Sequence, residues 1–161
     1  TATIIIRGSK FLESENFSSF TRLLGAGAIV NSAGDINGDG FADLIVANKN
    51  NNSVSVVFGQ TDEISSTLDL TSLDGTNGFN LTTANTVYSI SNAGDINGDG
   101  LGDIIIGDPF RSLSGYSSEG SAYVVFGQTT GFSSNFDLNS LNGSNGFSFA
   151  GTTQYLMRAY I

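Results

Sequence analysis

Asp35, Asn37, Asp39 and Asp43 stand at positions 1, 3, 5 and 9 of the stretch DINGDGFAD, and Asp95, Asn97, Asp99 and Asp103 repeat that spacing in DINGDGLGD. Oxygen-bearing side chains at alternate positions of a tightly curled loop converge on one centre. Such a centre suits a hard cation such as Ca2+, which takes about six to eight oxygen ligands. Gly38 and Gly40, with Gly98 and Gly100, permit the positive φ angles that the curl demands. The backbone carbonyl of Phe41 or Leu101, at position 7, completes each candidate ligand set. Three carboxylates this close repel one another or take up protons unless a cation lies between them. The two loops hold six of the fifteen acidic residues, and two Ca2+ ions would cancel four of the nine net negative charges.

Two other readings of the loop compete. An EF-hand begins with the same D-x-N-x-D-G, but its position 12 is a bidentate Glu. Here that position is Val46 or Ile106, inside an apolar run with no helical periodicity. Asn-Gly and Asp-Gly are also strong hairpin signals, so one copy alone has a second, lesser reading as a polar turn. The second copy, with the acid kept at position 9, favours a calcium loop between two strands.

The rest of the chain must position these loops. It has 161 residues, 39% hydrophobic and only 13% charged, with 21 Gly and abundant Asn, Ser and Thr. That mixture predicts an all-β protein of short strands and tight turns. There is no Cys, which excludes disulfides and thiolate chemistry, and no His, which removes the usual general base and the usual imidazole ligand. Catalysis is therefore not expected. A net charge of −9 and scattered basic residues argue against nucleic acid, and no apolar run approaches a membrane span.

Internal repetition fixes the organisation. AGDINGDG recurs at an offset of 60, while VVFGQT (56–61) and DLTSLDGTNGF (69–79) recur at an offset of 68, the latter as DLNSLNGSNGF. The eight extra residues of the second copy lie in Asp108 to Ser121, opposite the short ANKNNNS of the first, and mark an exposed loop. Each unit predicts four strands: one entering the acidic loop, one leaving it (DLIVA or DIIIG), one ending in VVFG, and one near NGF. ATIIIRGSK resembles the VVFG strand, and GFSFAGTTQY repeats the lead-in to each loop, so a partial unit is expected at each end. At the spacing from Phe79 to Asp95, a third acidic loop is due immediately after Ile161.

Residues 25 to 151 resemble the FG-GAP repeats of the integrin α-subunit β-propeller. The second copy reads DINGDGLGD, IIIGDP and GSAYVVFG, with Phe126-Gly127 as the Phe-Gly pair, and the first keeps DINGDGFAD and Phe58-Gly59. The first copy departs in having Ala47 to Lys49 where a Gly-Ala-Pro-like turn belongs, and the N-terminal unit has Arg7-Gly8 in place of Phe-Gly. The resemblance implies propeller blades of four antiparallel strands: partial strands over 1–24, blades at 25–86 and 87–151, and the start of a further strand at 152–161. Two blades leave sheet faces and edges uncovered. Either copies of the chain close a ring, or the chain is a fragment of a longer propeller.

Family resemblance implies binding to a protein or glycan partner in an adhesion role. Phe110, Arg111 and Tyr116 of the inserted loop are candidate contacts, although the two aromatics serve equally to pack that loop down. A structural, calcium-stiffened assembly unit and an accessory module of a larger secreted hydrolase are the alternatives. Asp108 and Glu119 could be posed as an acid/base pair, but nothing in the sequence sets their separation. Modest calcium affinity requires the millimolar calcium outside cells, so an extracellular or cell-surface location is expected. Asn-x-Ser/Thr triplets at Asn16, Asn51, Asn80 and Asn142 are chance matches in a chain of this composition.

Overall fold

A computed structural model describes residues 3–4, 28–48, 52–61, 68–82, 87, 89–109 and 120–150. The boundaries expected near residues 24, 86 and 151, the candidate contacts Phe110, Arg111 and Tyr116, and Glu119 of the posed acid/base pair lie outside them. The described residues form strands joined by turns and two short 3-10 segments, with no helix long and apolar enough to cross a membrane.

Eleven strands run in chain order: β1 (Thr3–Ile4), β2 (Ala28–Gly34), β3 (Asp43–Asn48), β4 (Ser53–Val57), β5 (Leu68–Asp69), β6 (Gly78–Thr82), β7 (Ser89–Gly94), β8 (Asp103–Asp108), β9 (Ser121–Val125), β10 (Asn135–Asp137) and β11 (Gly146–Ala150). In the first repeat β2, β3, β4 and β6 form an antiparallel meander, and β7, β8, β9 and β11 do the same in the second. These are the four strands per unit that the repeat pattern predicts. Val, Ile, Phe and Tyr favour such a pleated surface, and alternation sends their side chains to opposite faces.

One connection was not legible in the sequence. Strand β10 of the second repeat leaves its own sheet and pairs in parallel with β6 of the first, Phe136 opposite Leu81. Asn80 N donates to Ser134 O at 2.8 Å beside this pairing. The first sheet therefore has five strands, and its outer edge is closed by the unit that follows. Strand β5, the counterpart of β10, pairs with β1.

The main core lies between the two sheets. From the first come the rungs Ile45–Val56–Phe79 and Ala47–Val54–Leu81, and from the second Ile104–Val125 and Ile106–Tyr123, all buried in one cluster. Each buried Ile, Val or Phe side chain contributes about 1.5–3 kcal/mol. Phe132, just before β10, stacks on Phe79 with ring centroids 4.2 Å apart, and Phe58 and Phe136 tilt against the pair. A smaller cluster of Leu44, Val57 and Leu73, with Val30, Leu68 and Leu70, lies on the other face of the first sheet.

Candidate metal centre

Each acidic loop connects the first two strands of its repeat. The entering strand shifts register between Ser32 and Gly34, or Asn92 and Gly94, and turns into the loop there. Gly38 and Gly40 take φ of 77° and 89°, and Gly98 and Gly100 take 77° and 88°, as the curled loop requires. The Asp35 carboxylate organises the curl: Oδ1 accepts from Gly38 N and Asp39 N at 2.7 and 3.1 Å, and Oδ2 from Gly40 N at 2.8 Å. Asn37 Oδ1 accepts from Asp39 N, and Asp39 Oδ1 from Phe41 N. In the second loop Asp95, Asn97 and Asp99 make the same bonds, ending with Leu101 N on Asp99 Oδ1.

Asp35, Asn37 and Asp39 are therefore brought together by the curl of the loop, as are Asp95, Asn97 and Asp99. Asp39 Oδ2 accepts from Asn37 Nδ2 at 2.8 Å, and Asp99 Oδ2 from Asn97 Nδ2 at the same distance. Among the described residues, no three acidic side chains form a ready-made metal cluster by themselves. The donor set nevertheless fits a hard cation. Carboxylate, amide and carbonyl oxygens line a loop whose curl the backbone N–H groups already fix. The Asn37 and Asp39 oxygens each accept one hydrogen bond and keep a second lone pair for a cation, as does Asp35 Oδ2. Asp35, Asn37, Asp39, the Phe41 carbonyl and Asp43 would hold the ion in the first loop, and Asp95, Asn97, Asp99, the Leu101 carbonyl and Asp103 in the second.

Asp43 and Asp103 carry a structural role that the spacing alone did not reveal. Both are fully buried. Asp43 Oδ2 accepts from Ile36 N and Oδ1 from Gly59 N, each at 2.8 Å. Asp103 does the same with Ile96 N at 2.7 Å and Gly127 N at 2.9 Å. The position-9 acid thus ties the start of its loop to the Phe-Gly turn that ends the third strand. Burial pushes the Asp43 carboxyl up to about 6; the two backbone hydrogen bonds oppose that rise, and the Asp39 and Asp35 charges add to it. A cation beside Asp35 and Asp39 would reverse the charge contribution.

The Phe-Gly glycine has a steric reason as well. A Cβ on Gly59 would lie 2.6 Å from the Ala42 carbonyl oxygen and 2.7 Å from Phe41 Cβ. One on Gly127 would lie 2.6 Å from Leu101 Cβ and 2.7 Å from the Gly102 carbonyl oxygen. The turn and the loop touch so closely that only glycine fits.

The first loop also meets the second repeat. Gly102 N donates to the Asp35 carbonyl at 2.7 Å, and Gln128 N to the Ile36 carbonyl at 2.9 Å. Beside these bonds, Asn31 Nδ2 donates to Ser91 Oγ at 3.3 Å.

The molecule is thus a tandem β-repeat protein in which each four-strand meander carries one acidic loop locked to a Phe-Gly turn. The FG-GAP repeat family model matches residues 27–58 and 86–125, so the chain carries two FG-GAP repeats. No curated protein matches the chain.

Proposed function

We propose that the chain is a calcium-binding module whose two repeat sheets are blades of a β-propeller, and that it serves in binding a protein or glycan partner in an adhesion role. The observation that carries the calcium reading is the agreement of the two loops. Eight side-chain hydrogen bonds recur at equivalent atoms, with lengths differing by no more than 0.1 Å, although one loop is packed under the neighbouring repeat and the other is exposed. The identical octet AGDINGDG gives both loops one donor arrangement, and the acid kept at position 9 extends it beyond the octet.

The module binds rather than catalyses, since a chain without His or Cys lacks the usual groups for proton transfer and nucleophilic attack at neutral pH. Calcium at the millimolar level outside cells would keep loops of modest affinity filled, which places the module at the cell surface or in the extracellular space. A purely structural role is favoured by a separate observation: the first loop bonds to the second repeat through its backbone, so filling it would stiffen the joint.

Thermal unfolding with calcium and with a chelator tests the reading. At a free concentration of a hundred times Kd, each site adds about 2.7 kcal/mol. For a chain of this size that is a rise of about 2–4 °C in Tm per kcal/mol. An unchanged Tm on chelation would sink the calcium assignment. A screen of glycans and matrix proteins, with folding intact, separates the adhesive role from the structural one.

A further inference from the structure

The two repeats use the same face differently. In the first, Ile36, Ile45 and Leu81 are 0%, 0% and 4% exposed, because the second sheet covers them. Their counterparts Ile96, Ile105 and Phe149 are 47%, 36% and 56% exposed. Phe126, Phe147 and Phe149 form a row on this open face, with ring centroids 5.7 and 5.1 Å apart. Phe79 has Phe132 stacked on it; Phe147 has no such ring among the described residues. The open loop repeats the pattern: a Cβ at Gly38 would strike Thr129 and Leu101, whereas one at Gly98 meets nothing within 4 Å.

The complementary half of the junction is present at the other end of the molecule. The second repeat covers the first with Ile90, Phe136 and Leu138, all buried. Their counterparts in the first repeat, Val30, Leu68 and Leu70, are only partly buried on its outer face. Among the described residues, the apolar rim of the complementary half thus stays partly open at the other end of the molecule, around the buried Leu44, Val46 and Val57.

We propose that the open face of the second sheet seats the first repeat of a second copy of this chain, head to tail, in the geometry with which the second repeat seats on the first. Ile96, Ile105, Phe147 and Phe149 receive Val30, Leu68 and Leu70 of the incoming copy. The Asp95 and Ile96 carbonyls accept from its Ala42 and Gln60 amides, as Asp35 and Ile36 accept from Gly102 and Gln128. Because β5 already pairs with β1, the contact is made by the face and the loop carbonyls rather than by strand addition. The inference rests on the blade reading and not on calcium. A heterologous contact of this kind closes rings or extends filaments.

One residue sets its strength. At the junction a Cβ on Gly102 would lie 2.7 Å from the Ala33 carbonyl oxygen and 3.0 Å from Asp35 N. The first repeat carries Ala42 at this position, so the self-contact is strained at one point and weak.

Sedimentation of the full chain in calcium, over a range of concentrations, tests the proposal. Reversible association is expected, weakened at least about tenfold by Phe149→Asp on the exposed edge and tightened by Ala42→Gly. Circular dichroism and Tm of each variant check that the fold is kept. A chain that stays monomeric with Ala42→Gly, or association that Phe149→Asp leaves unchanged, would overturn the proposal. Neither result touches the calcium assignment, which is read from Tm on chelation.

Discussion

Asp43 and Asp39 belong to one loop and divide its work. Asp39 is exposed and its Oδ2 faces only an amide of the same loop, whereas both oxygens of Asp43 hold backbone N–H groups in a buried setting. Asp43→Asn would set an amide donor against one of those N–H groups, costing about 1–3 kcal/mol. Denaturant unfolding in a chelator should register that loss in full, while Asp39→Ala under the same conditions should register little. With calcium present, Asp39→Ala should lose the stabilisation that the ion adds. The sequence made the acid at position 9 visible as a candidate ligand because such spacing is local. Its structural role was hidden because the partner glycine is 16 residues away in one repeat and 24 in the other.

At the level of the element, the strands and the loops between them were readable because their signals are short-ranged: β-branched runs, Asn-Gly and Asp-Gly turns, and exact recurrence. The glycines of the curled loops were readable for the same reason. Strand β10 was not, since three residues, NFD, carry no periodicity and their partner strand belongs to the other repeat. The third-strand turn offers the sharpest element-scale prediction. Gly127→Ala would press a Cβ against Leu101, the Gly102 carbonyl and the Ile36 carbonyl, which ties the second sheet to the first loop. A loss of about 1–3 kcal/mol is expected by denaturant unfolding. Gly131→Ala, whose Cβ meets nothing within 4 Å, should cost only the strain of its φ of 88° and makes the control.

For the whole molecule, the two candidate sites are alike in chemistry and unlike in surroundings. The first loop is held by Gly102 N and Gln128 N, with Ile36 buried beneath it; the second loop has Ile96 exposed. Prior fixing of a site removes part of the ordering cost of binding. Calorimetric titration should therefore resolve two unequal calcium sites, and Asp39→Ala should abolish the tighter one while Asp99→Ala abolishes the weaker. Equal sites would mean that the junction does not reach the loop. This asymmetry is a property of neighbours in space, and the nearly identical loop sequences gave no sign of it.

The clasp from Asp43 to Gly59, and from Asp103 to Gly127, closes with the same geometry over 16 residues and over 24. The length of the connection from the second strand to the third thus leaves the clasp unchanged. That connection is a natural port for foreign sequence: a peptide inserted between Pro109 and Gly120 should leave the clasp and the acidic loop in their present form.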